Sequence, residues 1–333
     1  MFTTYPFTAY DGFPCHLVRA ENTGNITRGP IMLVHGSGVR SNIFNPPNEH
    51  NLIQVLQEAG YDVWLENWRG SIACNRNEWN LDVVANNDHP AAVKEICRVT
   101  GAANIKAFIH CQGSTTFMLS AIKGLVPEVK TIVSNAVSLH PVVPEYSNIK
   151  LKFLLPCVKT LTHYLNPHWG DDAPDFVAKF FRAIAKLTHY EKDTTVGKMV
   201  SFIYGAGWPA LWELDNLSEA TKQWIRNEFG NVPTTFFDHI KKCVKEGALV
   251  SKDGQIKYAN NKPATDARFI FIAGRLNKCF RSKSQENTYN FFNALRPQYH
   301  KLYEYDTYSH LDIFLGKNSH KDIFPTVVKE LNE

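Results

Sequence analysis

The chain has 333 residues, enough to bury one large core with an insertion. Its net charge of +4 is mild and its basic residues are scattered, which argues against a nucleic-acid-binding surface. No stretch reaches the ~18 apolar residues of a membrane span, and the first residues lack the basic start and apolar run of a signal peptide. The seven cysteines show no metal or redox spacing, so we expect no metal, reduced thiols and a cytoplasmic location.

The first half of the chain alternates predicted strands and helices. We expect two short strands within 7–20, a strand over 30–35, a helix over 52–59, a strand over 61–66, a helix from Asp88 to about Val99 with Pro90 just inside it, and strands over 105–110 and 129–134. Such alternation predicts the α/β class, with a mostly parallel, doubly wound sheet.

The pattern changes after Pro141, where about 120 residues read as helical and aromatic. Regular order returns with a strand over 268–273, a helix over 283–295, a strand over 301–305 and a helix near 322–331. We therefore divide the chain into a core, residues 1–140 and 263–333, and a helical cap insertion, residues 141–262. The cap aromatics fit either an acyl pocket or, more commonly, plain core packing.

Residues 107–115, AFIHCQGST, are the most informative stretch. A predicted strand enters His110-Cys111-Gln112-Gly113 and then a helix, which resembles the turn on which α/β-hydrolases hold the nucleophile of Gly-x-Ser-x-Gly. Cys111 takes the serine position, Ile109 replaces the first glycine and Gly113 keeps the second. Because strand side chains alternate, we expect His110 to point elsewhere. The alternative is that Cys111 is an ordinary buried thiol.

A nucleophile of this kind needs a histidine and a group that orients the histidine. His310 follows the last predicted strand, and Asn277 follows the strand before it, where a carboxylate is usual. A thiol can transfer its proton to imidazole in advance, so an amide oxygen accepting the ring N–H suffices, as in papain-like sites. The sequence therefore predicts a Cys111–His310–Asn277 triad. In the alternative, Asn277 is structural and Asp306 or Asp312 orients the ring.

The predicted oxyanion hole combines the backbone N–H groups of Ser37 and Gln112. A rival reading takes Gly36-Ser37-Gly38-Val39-Arg40-Ser41 as a dinucleotide fingerprint, but Ser41 stands where a third glycine is needed. We therefore expect no nucleotide cofactor.

Several segments resemble the gastric and lysosomal acid lipases. Residues 60–71 (GYDVWLENWRGS) and 79–93 (WNLDVVANNDHPAAV) are similar to the region after the second core strand of those enzymes. Residues 108–116 (FIHCQGSTT) and 308–316 (YSHLDIFLG) fall where they carry their nucleophile and histidine motifs.

The closer resemblance is to the α/β-hydrolase domain fused behind cholesterol-oxidase-like flavoproteins of the GMC type. That domain has a similar His-Cys-x-Gly-Ser elbow, a similar Leu-His-Pro segment (139–141) and a similar ending (310–325). The resemblance implies the α/β-hydrolase fold and carboxylic-ester chemistry carried by Cys111 and His310. Hydrolase-like segments occupy the chain from its first residues, so we expect no flavin module and no cofactor.

These observations predict a cysteine-dependent hydrolase that forms an acyl-Cys intermediate on a small-molecule ester or thioester with an acyl chain. One alternative is an acyltransferase that passes the acyl group to an alcohol, amine or thiol. A second is a non-catalytic binder of apolar ligands, which the departures at Ile109 and Asn277 favour. A third is a structural partner of an oxidoreductase. No nucleic-acid partner is expected, and a homodimer is left open.

Overall fold

A computed structural model describes residues 1–21 and 24–333. Its strands are β1 (Phe2–Thr8), β2 (Pro14–Ala20), β3 (Pro30–Val34), β4 (Asp62–Asn67), β5 (Ile105–His110), β6 (Val129–Asn135), β7 (Tyr164–Leu165), β8 (Val232–Pro233), β9 (Arg268–Gly274) and β10 (Lys301–Tyr305). Its α-helices are α1 (Leu52–Glu58), α2 (Leu81–Thr100), α3 (Cys111–Ile122), α4 (Glu145–Ile149), α5 (Leu155–Leu161), α6 (Phe176–Thr188), α7 (Thr195–Tyr204), α8 (Glu219–Trp224), α9 (Thr234–Glu246), α10 (Lys283–Leu295), α11 (Asp312–Leu315), α12 (Ser319–Asp322) and α13 (Phe324–Asn332).

Eight of the described strands form a single sheet in the order β1-β2-β4-β3-β5-β6-β9-β10. The pairs β1–β2 and β2–β4 are antiparallel, and every later neighbour pair is parallel. The predicted mostly parallel, doubly wound sheet is confirmed. Because parallel strands end at the same edge, the loops after β3, β5, β9 and β10 all emerge on one side of the sheet.

The predicted elements of the core match the structure closely, with two exceptions. The first strand, expected within 7–20, instead covers Phe2–Thr8. The strand over 105–110, the helix over 283–295 and the strand over 301–305 have the expected bounds. The helix expected to start at Asp88 instead starts seven residues earlier, at Leu81, and Pro90 lies inside it. Asn80 caps this helix by accepting the backbone N–H groups of residues 82 and 83, a stronger start signal than the proline.

The sheet is buried on both faces, as continuous apolar strands such as β3 require. Met32 and Val34 pack in one apolar cluster, together with residues of α2, α3 and α10. Ile31 and Leu33 point to the other face and pack with residues of α1 and α13. This arrangement fixes β5 in the middle of the sheet, with helices above and below it.

The stretch between β6 and β9 contains α4 to α9 and the two-stranded ribbon of β7 and β8. It lies over the carboxyl edge of the sheet, because the Tyr204 hydroxyl at the end of α7 donates to the carbonyl of Ser37, which follows β3. Among the described helices, none has the length and apolar character needed to cross a bilayer.

Candidate active site

Cys111 occupies a sharp turn between strand β5 and helix α3. Its backbone φ is +54°, in the left-handed region that residues with a side chain rarely adopt. A Cβ at Gly113 would lie 2.2 Å from the carbonyl oxygen of His35, so the first turn of α3 packs directly on the loop after β3. A Cβ at Gly36 would lie 3.4 Å from Cys111 Sγ, so the same loop touches the sulfur. A strained residue at a strand-to-helix turn is the geometry of a nucleophile elbow.

His310 reaches this turn from the loop after β10. One of its ring nitrogens and Cys111 Sγ lie within 4.8 Å of each other. Its Nδ1 is hydrogen-bonded to Asn277, whereas Nε2 is buried and has no hydrogen-bond partner among the described residues. Nε2 is therefore the nitrogen left to face the sulfur. The structure places the three side chains of the predicted triad next to one another, while their catalytic role stays a prediction.

Asn277 contacts His310 through its amide NH₂ group and not through the amide oxygen that the sequence predicted. Asn277 Nδ2 donates to His310 Nδ1 at 3.0 Å. Asn277 Oδ1 instead accepts the backbone N–H groups of Cys279, at 2.9 Å, and Phe280, at 3.0 Å. Turning the amide over would set its NH₂ group against two backbone donors, so the orientation is fixed. The expectation that the amide oxygen accepts the ring N–H is wrong.

Neither aspartate weighed as an alternative orients His310. Asp312 is fully buried and accepts the backbone N–H of Ser309 at 2.8 Å, which holds the histidine loop without touching the ring. Burial raises the pKa of Asp312 to about 6. Asp306 is exposed and pairs with Arg275 at 2.8 Å. The group on the ring is Asn277.

His110 does not point away from the site. Its ring centroid lies 4.7 Å from that of His310, in an edge-to-face arrangement. A ring nitrogen of His110 also lies within 4.8 Å of Cys111 Sγ. The alternation of strand side chains stops at the elbow, because the positive φ of Cys111 swings the thiol back over the end of β5. Asn135 Nδ2 donates to His110 Nδ1 at 2.9 Å, the same contact that Asn277 makes with His310.

The surroundings of Cys111 favour its thiolate. Its pKa is held well below the ordinary value, first by a hydrogen bond from the Cys279 thiol and then by His310 and the backbone N–H of Gln112. The pKa of Cys279 is correspondingly raised, because this thiol keeps its proton to donate it. The position of Cys279, two residues after Asn277, is the sequence signal for this second thiol.

Ser37 and Gln112 are the two residues predicted to form the oxyanion hole, a role that stays a prediction. Both line the same cavity as Cys111. Within the described part of the chain, the backbone N–H of Ser37 has no acceptor, and the Tyr204 hydroxyl donates to the Ser37 carbonyl at 3.2 Å. Tyr204 thereby holds the Ser37 peptide in place from the stretch between β6 and β9. No pattern in the sequence identified this role of Tyr204.

The sulfur lies at one end of an apolar pocket. The pocket is open to solvent on one side and spans about 870 Å³ when the solvent at its mouth is included. Its walls come mainly from α5, α7, α9 and the helical segment before α5, and include Leu151, Leu155, Val158, Phe181, Phe202, Phe236, Phe237 and Ile240. A cavity of this size and apolar lining accommodates an acyl chain whose carbonyl is placed at Cys111.

Lys150 is a charged group in this otherwise apolar wall. Its Nζ donates to the carbonyl oxygens of Phe202 and, at 2.7 Å, Gly205. Burial lowers the pKa of Lys150 to about 8. The same ammonium acts on the Cys279 thiol, so a positive charge lies close to that sulfur. No sequence pattern indicated this lysine.

His110, Cys111 and His310 form a set of donor atoms of the kind that holds a soft metal ion. A metal-bound histidine normally donates its other ring N–H to an oxygen atom. Here both Nδ1 atoms accept hydrogen bonds from amide NH₂ groups, so the second partner of each ring has the wrong polarity. The arrangement suits two ring N–H groups directed at an anionic sulfur better than a metal.

Comparison with known proteins connects this geometry to lipases and esterases. No protein-family model matches the chain. Human gastric triacylglycerol lipase is 30% identical over 152 residues, which cover 40% of this chain and 38% of that lipase. The match therefore spans well under half the length of that lipase. A probable lipase of Schizosaccharomyces pombe is 22% identical over 330 residues, covering 91% of this chain and 68% of that protein.

Solved structures match over nearly the whole chain. A soluble variant of monoglyceride lipase from Saccharomyces cerevisiae superposes with a TM-score of 0.63 at 16% identity, covering 99% of this chain and 96% of that one. An esterase from Exiguobacterium antarcticum gives a TM-score of 0.60 at 12% identity, covering 98% and 99%. The chain therefore has the α/β-hydrolase fold, and its sequence relatives include lipases and esterases.

Proposed function

We propose that this chain is an acyl-transferring hydrolase of esters or thioesters that forms a covalent intermediate on Cys111. The observation that carries the proposal is the position of Cys111. It combines a φ of +54° at the end of β5, a ring nitrogen of His310 within 4.8 Å and an apolar pocket above the sulfur. A thiol with a lowered pKa in such a place is an activated nucleophile, whereas an ordinary buried thiol has a raised pKa.

In the proposed reaction, the substrate carbonyl oxygen accepts the backbone N–H groups of Ser37 and Gln112. The Cys111 thiolate attacks the carbonyl carbon, and the leaving group departs with its bonding electrons. The acyl group is then a thioester on Cys111, which water or another acceptor releases. The names of the sequence relatives, gastric lipase and sterol esterase, support the carboxylic-ester class.

We propose that residues 141–262 act as a cap whose helices form the acyl-binding wall over a core of residues 1–140 and 263–333. Most of the apolar lining of the pocket comes from this segment, which supports the assignment. All seven cysteines are unpaired, which supports a reducing, cytoplasmic location. The elbow sequence of residues 110–114 supports the closer resemblance to the hydrolase domain of GMC flavoprotein fusions.

Intact-protein mass spectrometry tests the covalent step. Brief exposure to p-nitrophenyl butyrate is expected to add one butyryl group to the wild-type chain, because the Cys111 thiolate takes up the acyl group faster than it is released. Cys111→Ala removes the nucleophile and should show no adduct. Cys157→Ala is the matched control, because Cys157 is an exposed thiol far along the chain from the elbow. This variant should acquire the adduct like the wild type.

An adduct that persists in Cys111→Ala, or one that disappears in Cys157→Ala, would contradict the proposal. A rate series with iodoacetamide gives an independent readout. The alkylation rate of Cys111 should reach its plateau at a pH well below the ordinary thiol pKa of about 8.5, and the plateau should move upward in His310→Ala. A thiol that ionises no earlier than a free cysteine would favour a non-catalytic binding protein.

A further inference from the structure

The orientation of the Asn277 amide decides which ring nitrogen of His310 carries the proton. Because Asn277 Nδ2 is a donor, His310 Nδ1 must accept and therefore has no proton. In neutral His310 the proton then lies on Nε2, which faces Cys111. Protonating both nitrogens would set an Nδ1–H against the amide NH₂ in a buried site, a repulsive contact between two donors.

A histidine in this state stabilises a thiolate but does not exchange protons with a substrate. Its Nε2–H is directed toward the sulfur, which lies within 4.8 Å of a ring nitrogen of His310. The Cys279 thiol and the backbone N–H of Gln112 stabilise the same thiolate. Nε2 has no lone pair with which to act as a base. Acting as an acid would leave a ring anion. In the resting site His310 therefore directs an N–H toward Cys111, and the usual acid–base role of a triad histidine is blocked.

We infer that this site takes its acyl group from a thioester and passes it to a second thiol, in preference to an alkyl ester donor and to water. The inference rests on the proposed acyl-Cys111 intermediate. In the first step the Cys111 S–C bond forms and the donor's C–S bond breaks. The leaving thiolate departs with the bonding electrons and takes its proton from solvent. No acid is needed, because a thiol has a pKa of about 8.5 and leaves as the anion.

An alkyl ester is a different case. Its alkoxide leaves as the conjugate base of an alcohol, an acid about as weak as water with its pKa of about 15.7, and so needs a proton from the enzyme. The same reasoning applies in reverse to release of the acyl group. Water must lose a proton to a base as it attacks acyl-Cys111, whereas a thiolate attacks without one. Thiol donors and thiol acceptors are therefore favoured together.

The first test compares two donors that differ in one atom, S-butyryl-N-acetylcysteamine and O-butyryl-N-acetylethanolamine. Acylation of wild-type Cys111 is followed by intact mass in single-turnover mixtures. We expect the thioester to react at least ~10³-fold faster, the size of a missing general acid. Asn277→Asp keeps an oxygen for the two backbone N–H groups and supplies a second oxygen that accepts Nδ1–H. It should reduce the ratio at least ~10-fold by speeding the oxoester reaction.

Asn293→Asp is the control for the added charge, because Asn293 lies on α10 and its Oδ1 accepts the backbone N–H of Gln298, away from Cys111 and His310. An aspartate keeps that acceptor and does not reach Nδ1 of His310, so the donor ratio should stay as in the wild type. A fall of the ratio in Asn293→Asp equal to that in Asn277→Asp would overturn the inference. The wild-type comparison decides the question even where a variant does not fold.

The second test measures where the acyl group goes. Acyl-Cys111 is formed with S-butyryl-N-acetylcysteamine, and cysteamine bearing an N-acetyl group labelled with ¹³C is added as acceptor. Labelled thioester should form faster than butyric acid in the wild type, and butyric acid should gain in Asn277→Asp. Equal acylation by both donors, or release mainly to water, would overturn the inference while leaving the acyl enzyme intact. Absence of any adduct with either donor would instead remove the proposed function itself.

Discussion

His89 and His310 each lie between a side-chain partner at Nδ1 and a hydroxyl or thiol on the other side of the ring, and they differ in both partners. His89 Nδ1 lies 2.8 Å from the Glu66 carboxylate, and its Nε2 lies 2.8 Å from the Thr116 hydroxyl. All three of these side chains are fully buried. His310 Nδ1 instead accepts from the Asn277 amide, and its Nε2 faces the Cys111 sulfur at the pocket.

The difference separates a buried carboxylate–histidine–hydroxyl chain from the proposed catalytic site. Thr116 Oγ1 lies 3.0 Å from the carbonyl oxygen of Gln112 and 2.8 Å from His89 Nε2. The hydroxyl is fully buried and does not line the pocket of Cys111, so it is not placed to attack a substrate. The Glu66–His89–Thr116 chain therefore braces the first turn of α3. The site with access to a cavity has the weaker-looking partner, an amide. The proposed active site is distinguished by its open pocket, by the strained backbone of Cys111 and by a thiolate nucleophile. The Glu66 carboxylate instead contributes to the stability of the fold.

The largest expected effect comes from giving the accessible site a hydroxyl. Cys111→Ser should lower the rate of acylation by p-nitrophenyl butyrate at least ~10³-fold, because a serine hydroxyl needs a base at Nε2 and the wrong tautomer alone costs ~10⁴-fold in a serine triad. Cys111→Ser combined with Asn277→Asp restores a carboxylate at Nδ1 and should recover at least ~10-fold of the loss. Stopped-flow release of p-nitrophenol measures both variants.

The control for this pair is Asn277→Asp in the wild-type background, which keeps the thiol. If Cys111→Ser is acylated at a rate near that of the wild type, His310 accepts a proton even with the Asn277 amide at Nδ1. The different Nδ1 partners of His89 and His310 would then not decide what each ring can do. If the double variant gains nothing, the polarity of Asn277 is not what limits the serine.

Removing His89 from the buried Glu66–His89–Thr116 chain should lower the free energy of unfolding. The rate of Cys111 acylation in the molecules that remain folded should be unchanged. His89→Leu strands the Glu66 carboxylate in the core, and breaking a buried pair in this way costs about 3–5 kcal/mol of unfolding free energy. Glu66→Gln is the matched control, since its amide can donate to His89 Nδ1 as Asn277 donates to His310. It should lose less than half as much. Urea unfolding followed by circular dichroism measures both.

Two outcomes would contradict this contrast between His89 and His310. If Glu66→Gln lowers the free energy of unfolding as much as His89→Leu does, an amide does not substitute for a carboxylate at a buried imidazole. Alternatively, His89→Leu could abolish acylation while the fold and the unfolding free energy persist. The Glu66–His89–Thr116 chain would then belong to the reaction.

Much of the fold and of the site followed from local sequence patterns. The apolar run before Cys111 and the small residue at Gly113 identified the elbow, because a side chain at Gly113 would collide with the loop after β3. His310 was found by topology alone, since the loop after the last strand meets the elbow in a doubly wound sheet. These features depend on short-range patterns and on strand order, which a single sequence carries.

The features that the sequence missed depend on three-dimensional detail. The position of His110 follows from the backbone strain at Cys111, which breaks strand alternation. The orientation of the Asn277 amide is set by the backbone N–H groups of Cys279 and Phe280. Any residue type can supply a backbone N–H at these positions, so the sequence does not indicate the orientation. Tyr204 and Lys150 arrive from the stretch between β6 and β9, where helical aromatic sequence fits core packing and pocket lining equally well.

The smallest expected effect concerns the buried carboxylate of Asp312 and the pH dependence of stability. It holds the loop of His310 without touching the ring, and burial raises its pKa to about 6 from the ordinary 3.8. Between these values the native state binds more protons than the unfolded chain, so this group makes stability fall as pH rises from about 4 to 6. The fall amounts to about 3 kcal/mol for a fully buried group.

Asp312→Asn removes this titration, so the wild type should lose about 3 kcal/mol of unfolding free energy relative to the variant between pH 4 and pH 7. Urea unfolding of both proteins at intervals of half a pH unit gives the difference directly, and the titrations of all other groups cancel. A difference that stays constant over this range would mean that Asp312 is ionised at its ordinary pKa. The hydrogen bonds that Asp312 accepts from Ser309, Glu213 and Asn216 would then fully offset its burial, and the contrast with Glu66 would rest on the ring contact alone.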